Sequence, residues 1–100
     1  MSTTTFEKTG DTLTVAPNGK LDTSTSPVLE KEIAPYIEDT TNIVLDFKNV
    51  KYISSRGMRV IIALDQEMSE KDGSLRIINA NDDIMEVFEM VGFMDYIQIN

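Results

Sequence analysis

Residues 46–62 read Asp46-Phe-Lys-Asn-Val-Lys-Tyr-Ile-Ser-Ser-Arg-Gly-Met-Arg-Val-Ile-Ile62, and this stretch decides the fold. An apolar and β-branched run over 42–47 predicts a strand that is buried on both faces. A connection is predicted over 50–55. A helix is predicted from Gly57 to about Lys71, because the apolar residues in it recur at helical spacing. The chain therefore passes from a buried strand, through two serines, into a helix.

Ser54 and Ser55 fall at the N-terminus of this predicted helix. A serine at that place commonly caps the helix by accepting a backbone N–H bond. The same helix end also stabilises a phosphate group, since its free N–H groups and its dipole favour negative charge. Capping and phosphorylation are compatible, and the residues alone do not choose between them.

Strands and helices are predicted to alternate on both sides of this stretch. On the N-terminal side, strands over 6–8 and 12–16 flank a turn and form a hairpin. A helix begins near residues 24–26, where several residues can serve as N-cap. Pro35 is expected to end or kink this helix near Ala34.

On the C-terminal side, a strand over 74–79 precedes a helix that Asn81 caps and Gly92 closes. Residues 96–99 allow a short final strand. The order β-β-α-β-α-β-α, with or without that strand, predicts one α/β domain over residues 1–100. Its core would be a mixed sheet of four to five strands flanked by helices.

The composition excludes several classes of function. The chain has no cysteine and no histidine, so thiol nucleophiles, thiolate or imidazole metal ligands and the commonest general base are missing. We therefore expect no metal, no cofactor and no enzymatic activity. The net charge of −8 argues against nucleic acid. No apolar run approaches the ~20 residues of a membrane helix, and the N-terminus lacks a signal peptide, so we expect a cytoplasmic protein without membrane insertion.

Three segments together resemble one known family. They are Tyr52-Ile-Ser-Ser-Arg-Gly-Met58, Gly19-Lys-Leu-Asp22 before the first helix, and Phe88-Glu-Met-Val-Gly-Phe93 near the C-terminus. In order and spacing they are similar to the motifs of STAS domains, named after sulfate transporters and anti-sigma factor antagonists. The resemblance spans about residues 13–99 and implies the STAS fold.

Within this family, the resemblance is to bacterial anti-sigma factor antagonists. It implies that the unmodified chain binds an anti-sigma factor that is also a serine kinase, which releases a sigma factor for transcription. Phosphorylation by that kinase then ends the binding, and a PP2C-type phosphatase restores it. The family's phosphorylated residue stands two positions before the glycine, which is Ser55 here, with Ser54 as second choice. The implied partner surface comprises Asp22, Ser54, Ser55, Arg56, Gly57 and Met58.

Several of these positions carry two interpretations. Ser54 and Arg56 depart from the family, where Asp and a small residue are usual. Arg56 either pairs with a phosphate or points into solvent, and solvent is the default. Asp22 is either a carboxylate that starts the helix or part of the partner surface.

Three methionines and a pair of acids farther along the chain also have alternatives. The methionines form either an adaptable binding face or, as is more common at helical spacing, the core and its rim. They are Met85, Met90 and Met94. The adjacent Asp82 and Asp83 are expected to interact with a helix dipole and not with a metal.

Two other functions remain as alternatives. One is a stand-alone STAS subunit of an ABC-type lipid-transport complex, which would bind an ATPase without phosphorylation. The other is a small nucleotide hydrolase, which the missing histidine, cysteine and phosphate loop disfavour. The sequence leaves open whether the chain is a monomer or a weak dimer.

Overall fold

The computed structural model describes residues 4–99, which form seven strands and three α-helices. The strands are β1 (Thr5–Thr9), β2 (Thr12–Ala16), β3 (Gly19–Leu21), β4 (Asn42–Asp46), β5 (Val50–Ile53), β6 (Ser74–Ile78) and β7 (Gln98–Ile99). The helices are α1 (Thr25–Ile33), α2 (Ser55–Glu70) and α3 (Asp82–Val91). Short 3₁₀ helices follow α1 and α3, at Ala34–Asp39 and Phe93–Asp95.

Five of the strands form one mixed sheet in the order β1-β2-β4-β6-β7. The first two strands are antiparallel, and the remaining pairs are parallel. Strand β4 lies at the centre, which explains why its apolar run has no alternation: Ile43, Val44 and Leu45 are all buried. The predicted mixed α/β sheet with an initial hairpin is confirmed.

A separate two-stranded sheet joins β3 and β5 and was not predicted. The expected connection over 50–55 is wrong, because residues 50–53 form a strand that pairs in parallel with β3. Both strands are very short, and in β5 two exposed residues separate the buried Val50 and Ile53. This pattern has neither the alternation nor the length by which a strand is recognised in a sequence.

The helix boundaries follow from local chemistry. α1 ends at Ile33, since Pro35 cannot continue an α-helix, and the chain tightens there into the 3₁₀ helix. α3 begins after Asn81, whose side-chain oxygen accepts the Ile84 N–H at 2.9 Å. It ends at Gly92, which has φ +70°. The boundary of α2 differs from the prediction: the helix starts at Ser55, two residues earlier than expected.

The core lies between the main sheet and the helices. Phe47, the first residue after the central strand, packs near Phe88 of α3 with ring centroids 6.3 Å apart. Phe93 stacks on Phe88 at 4.7 Å, in a direction that the left-handed Gly92 makes accessible. The C-terminal motif 88–93 is thus a packing device that attaches α3 to the sheet. Between residues 4 and 99, no helix has the length and apolar character needed to span a membrane.

Candidate functional site

The two serines have different roles at the N-terminus of α2. Ser54 is the N-cap, and its Oγ accepts the Gly57 N–H at 3.3 Å. Ser55 is the first helical residue, is exposed, and its hydroxyl bonds to none of residues 4–99. Capping therefore occupies Ser54 and leaves Ser55 accessible, a division that the sequence could not make.

Asp22 shapes the loop that leads into α1. Its carboxylate accepts the backbone N–H groups of Ser24 at 2.9 Å and Thr25 at 3.0 Å. In return, the hydroxyl of Thr25 accepts the Asp22 N–H at 2.9 Å and donates to the carbonyl of Lys20 at 2.6 Å. The interpretation of Asp22 as a helix-start carboxylate is confirmed.

These hydrogen bonds also set the charge of Asp22. The backbone N–H of Thr25, and after it that of Ser24, stabilise the carboxylate and hold the pKa of Asp22 below its ordinary value. The half-exposed side chain is therefore ionised at neutral pH. It places one fixed negative charge on this loop.

The Asp22 loop lies directly against the Ser55 loop. The N–H of Ser54 donates to the carbonyl of Leu21 at 2.9 Å, which joins the end of β3 to the start of α2. A Cβ atom at Gly57 would lie 2.8 Å from that same carbonyl oxygen and 3.1 Å from Ser26 Oγ. Only glycine allows the helix to approach this closely, so Gly57 fixes the two loops as one surface.

The other predicted site residues divide between surface and interior. Arg56 is exposed beside Ser55, whereas Gly57 and Met58 are buried. Gly57 closely approaches β3, β5 and α1, and Met58 belongs to the hydrophobic core. Both lie beneath the exposed side chains, and their contact with a partner stays a prediction.

Two neighbouring exposed residues were missed by the sequence analysis. Tyr52, on β5, is 50% exposed although it is a large aromatic side chain. Arg59 is exposed one turn beyond Ser55 and lines a shallow groove between α1 and α2. The groove is formed by Glu30, Arg56, Arg59, Val60 and Ala63. The spacing of four between Ser55 and Arg59 was the available signal.

The remaining candidates lie elsewhere. Asp82 and Asp83 are exposed in the first turn of α3, and across residues 4–99 no cluster of acidic side chains could hold a metal ion. Met85 packs at the rim of the core, as expected. Met90 of α3 and Met94 of the following 3₁₀ helix do not: they are 79% and 41% exposed.

Comparisons with known proteins show which chains this one is similar to. A family model described as STAS domain matches residues 3–100. The chain is 31% identical over 87 residues to the anti-sigma-B factor antagonist of Staphylococcus aureus (strain NCTC 8325 / PS 47). That match covers 86% of this chain and 81% of the relative.

Solved structures show the same fold. An anti-sigma factor antagonist from Mycobacterium paratuberculosis superposes with a TM-score of 0.85 at 20% identity, covering 99% of this chain and 85% of that one. SpoIIAA, an anti-sigma factor antagonist, gives 0.83 at 19% identity in its unphosphorylated form, over 97% and 87% of the two chains. The Bacillus protein of that name has also been solved in its phosphorylated form, with a TM-score of 0.75.

Proposed function

The chain belongs to the STAS domain family, and on this premise we propose that it is an anti-sigma factor antagonist switched by phosphorylation of Ser55. In the unmodified form it binds an anti-sigma factor serine kinase in the bacterial cytoplasm, and a sigma factor is released. A PP2C-type phosphatase reverses the modification. The chain itself supplies a binding surface and an acceptor hydroxyl and no catalytic group.

The observation that carries this proposal is the free hydroxyl of Ser55. It is exposed on the first residue of α2, while the neighbouring Ser54 Oγ is engaged by the Gly57 N–H. A kinase can reach Ser55 without breaking a hydrogen bond in the domain. Modification of Ser54 would remove the helix cap, which typically contributes ~1 kcal/mol.

The chemistry is a phosphoryl transfer that the partner catalyses. Ser55 Oγ attacks the γ-phosphorus of the kinase's ATP, the bond from that phosphorus to the ADP oxygen breaks, and the hydroxyl proton passes to a base of the kinase. The products are phosphoserine and ADP. Hydrolysis by the phosphatase returns the hydroxyl and inorganic phosphate.

The N-terminus of α2 can accept the negative charge of a phosphate. A phosphoserine carries about −1.5 to −2 at neutral pH. At this helix end the N–H groups of Ser55 and Arg56 bond to no described residue, so they and the helix dipole favour an anion. The fold is expected to persist while a partner surface shaped around a neutral hydroxyl loses its fit.

Asp22 belongs to the same partner surface in this proposal. Its charged carboxylate is held by the N–H groups of Ser24 and Thr25, and the loop that carries it is joined to the Ser55 loop by the Ser54–Leu21 hydrogen bond. Arg56, the next residue after Ser55, and Tyr52, on the strand that precedes α2, are also exposed. A partner that binds this surface contacts an acidic group and a basic group, and its fit depends on whether the Ser55 hydroxyl is phosphorylated.

The test is intact mass and peptide mapping after incubation with the kinase of the same bacterium and ATP. We expect one phosphate, on Ser55, in the wild-type chain and in Ser54→Ala, and none in Ser55→Ala. A phosphate confined to Ser54 would overturn the residue assignment. Tight binding to a transport ATPase, with neither serine modified, would overturn the mechanism in favour of the lipid-transport alternative.

A further inference from the structure

The groove between α1 and α2 holds two arginines whose charges are not used within the domain. Arg56 and Arg59 both line it, opposite Glu30. Neither guanidinium makes an ion pair with any residue between 4 and 99, and both side chains are exposed. In a chain of net charge −8, two unpaired cations beside the candidate modification site are an uneven placement of charge.

The two arginines differ in their angular distance from Ser55 around the helix axis. At 3.6 residues per turn, Arg59 lies about 40° around the helix axis from Ser55, whereas Arg56 lies about 100° away. Side chains on an α-helix lean toward its N-terminus, so Arg59 leans toward Ser55 one turn before it. Residues four apart are neighbours on a helix surface, and adjacent residues do not face each other.

The first turn of α2 also has polar groups that make no hydrogen bond to a described residue. The N–H groups of Ser55 and Arg56 are free of described partners. Beneath the turn, Ser26 is 1% exposed and faces Gly57, and its Oγ has no hydrogen-bond partner among residues 4–99.

We propose that Arg59 is the phosphate-binding residue of the modified domain and forms a charge-assisted pair with the phosphoryl group on Ser55, while Arg56 stays in solvent. The inference rests on the proposed function and specifies how the modified state is held. A guanidinium presents two parallel N–H donors to phosphate oxygens, which suits it to this role better than a lysine.

The pair changes what phosphorylation does to the surface. In the unmodified chain, Arg59 is a free cation that a partner can contact. Once Ser55 is phosphorylated, Arg59 is drawn onto the phosphate. The switch then adds negative charge and at the same time withdraws a positive one, so a partner loses two features of the surface in one event.

The test measures the second ionisation of phosphoserine by ³¹P NMR. Phosphoserine is installed at position 55 during translation, so no kinase is needed and a failure of this pair is separate from a failure of the kinase proposal. A neighbouring cation favours the dianion, so the pKa near ~6 is lowered. We expect Arg59→Gln to raise that pKa by roughly half a pH unit, and the matched control Arg56→Gln to change it much less.

Two outcomes would overturn the proposal. One is an unchanged phosphoserine pKa in Arg59→Gln. The other is an equal shift in both variants, which would mean that each arginine acts only through general charge and that no specific pair forms. Arg59→Lys is a useful third variant, since it keeps the charge and loses the fork of donors. Both arginines are exposed, so circular dichroism should show all variants folded.

Discussion

The two ends of α2 have opposite character. At its C-terminal end, the loop that follows the helix is hydrogen-bonded to residues 37–41, the segment between α1 and β4. At its N-terminal end, a hydroxyl, two free N–H groups and two arginines face outward. A helix that is anchored at one end can therefore keep the side chains at its other end exposed for binding.

The closed end is held by Lys71 and Gly73. The ammonium of Lys71 donates to the carbonyls of Ile37 and Thr40, at the end of the 3₁₀ helix after α1. The Gly73 N–H donates to Met68 at 2.7 Å, and the next N–H, that of Ser74, donates to Thr41 at 2.9 Å. These bonds join the C-terminal end of α2 to the segment between α1 and β4.

The N-terminal, open end of α2 is held in position, but its exposed side chains are not covered by the other described elements. The Ser54 cap, the Ser54–Leu21 bond and the close contact at Gly57 determine where the first turn lies. They leave Ser55, Arg56 and Arg59 exposed. Substitutions at the closed end should therefore affect stability, and those on the exposed face of the open end should affect binding.

The largest effect is expected for Gly73→Ala. A Cβ atom at this position would overlap the carbonyl group of Thr41, which is backbone and cannot rotate away. We expect a loss of about 3 kcal/mol or more in the free energy of unfolding, measured by urea denaturation.

Gly57→Ala is the comparison at the open end. There, contacts of 2.8 Å cost energy, but the gain in helix propensity of ~1 kcal/mol offsets part of it. A smaller loss for Gly73→Ala than for Gly57→Ala would contradict the comparison.

A medium effect is expected for Ser54→Ala, which removes the α2 cap. The free energy of unfolding should fall by ~1 kcal/mol. Ser55→Ala is the matched control one residue away. It should stay within about 0.5 kcal/mol of the wild type because the Ser55 hydroxyl bonds to no residue in the described range 4–99. Equal losses in the two variants would show that the structure's division of the serines is wrong.

Asp22→Ala is expected to act on both properties: it removes the acceptor of the Ser24 and Thr25 N–H groups and so lowers stability, and it should weaken kinase binding several-fold. Asp22→Asn keeps the acceptor oxygen without the charge, so it separates the hydrogen bonds from the electrostatics. Retained binding in Asp22→Ala would leave only the structural role of this residue.

The pH dependence of the free energy of unfolding tests the role of the Asp22 carboxylate. Because the pKa of Asp22 is lowered on folding, its stabilising contribution is complete above the ordinary value of 3.8 and is lost as the pH falls through the lower, folded value. The difference in stability between wild type and Asp22→Ala should be constant from pH 7 to about 4 and shrink below that. A difference that already declines near pH 6 would contradict the assigned hydrogen bonds.

Much of the fold followed from the sequence because its signals are local. The hairpin, the unbroken apolar run of β4, the stop at Pro35 and the caps at Asn81 and Gly92 each depend on a few adjacent residues. The paired strands β3 and β5 did not, since each is stable only through a partner about 30 residues away. Short strands of this kind have no periodicity to detect.

The site was foreseen in part, through a motif. The motif places two serines at a helix start, but only the three-dimensional structure shows that Ser54 Oγ accepts a hydrogen bond, whereas the Ser55 hydroxyl has no partner among residues 4–99. Burial of Met58 and Gly57 was also hidden, because a motif does not state which side chains face inward. Arg59 was within reach of the helical spacing and was overlooked because it stands outside the Ser-rich turn.

The most direct test of the account compares the chain carrying serine with the chain carrying phosphoserine at position 55. Kinase affinity and the free energy of unfolding are measured on the same preparations. We predict that affinity falls by more than tenfold, about 1.4 kcal/mol, while the free energy of unfolding changes by less than ~1 kcal/mol. Unchanged affinity, or a loss of affinity that accompanies unfolding of the domain, would contradict the claim that Ser55 switches a binding surface on a fold that stays intact.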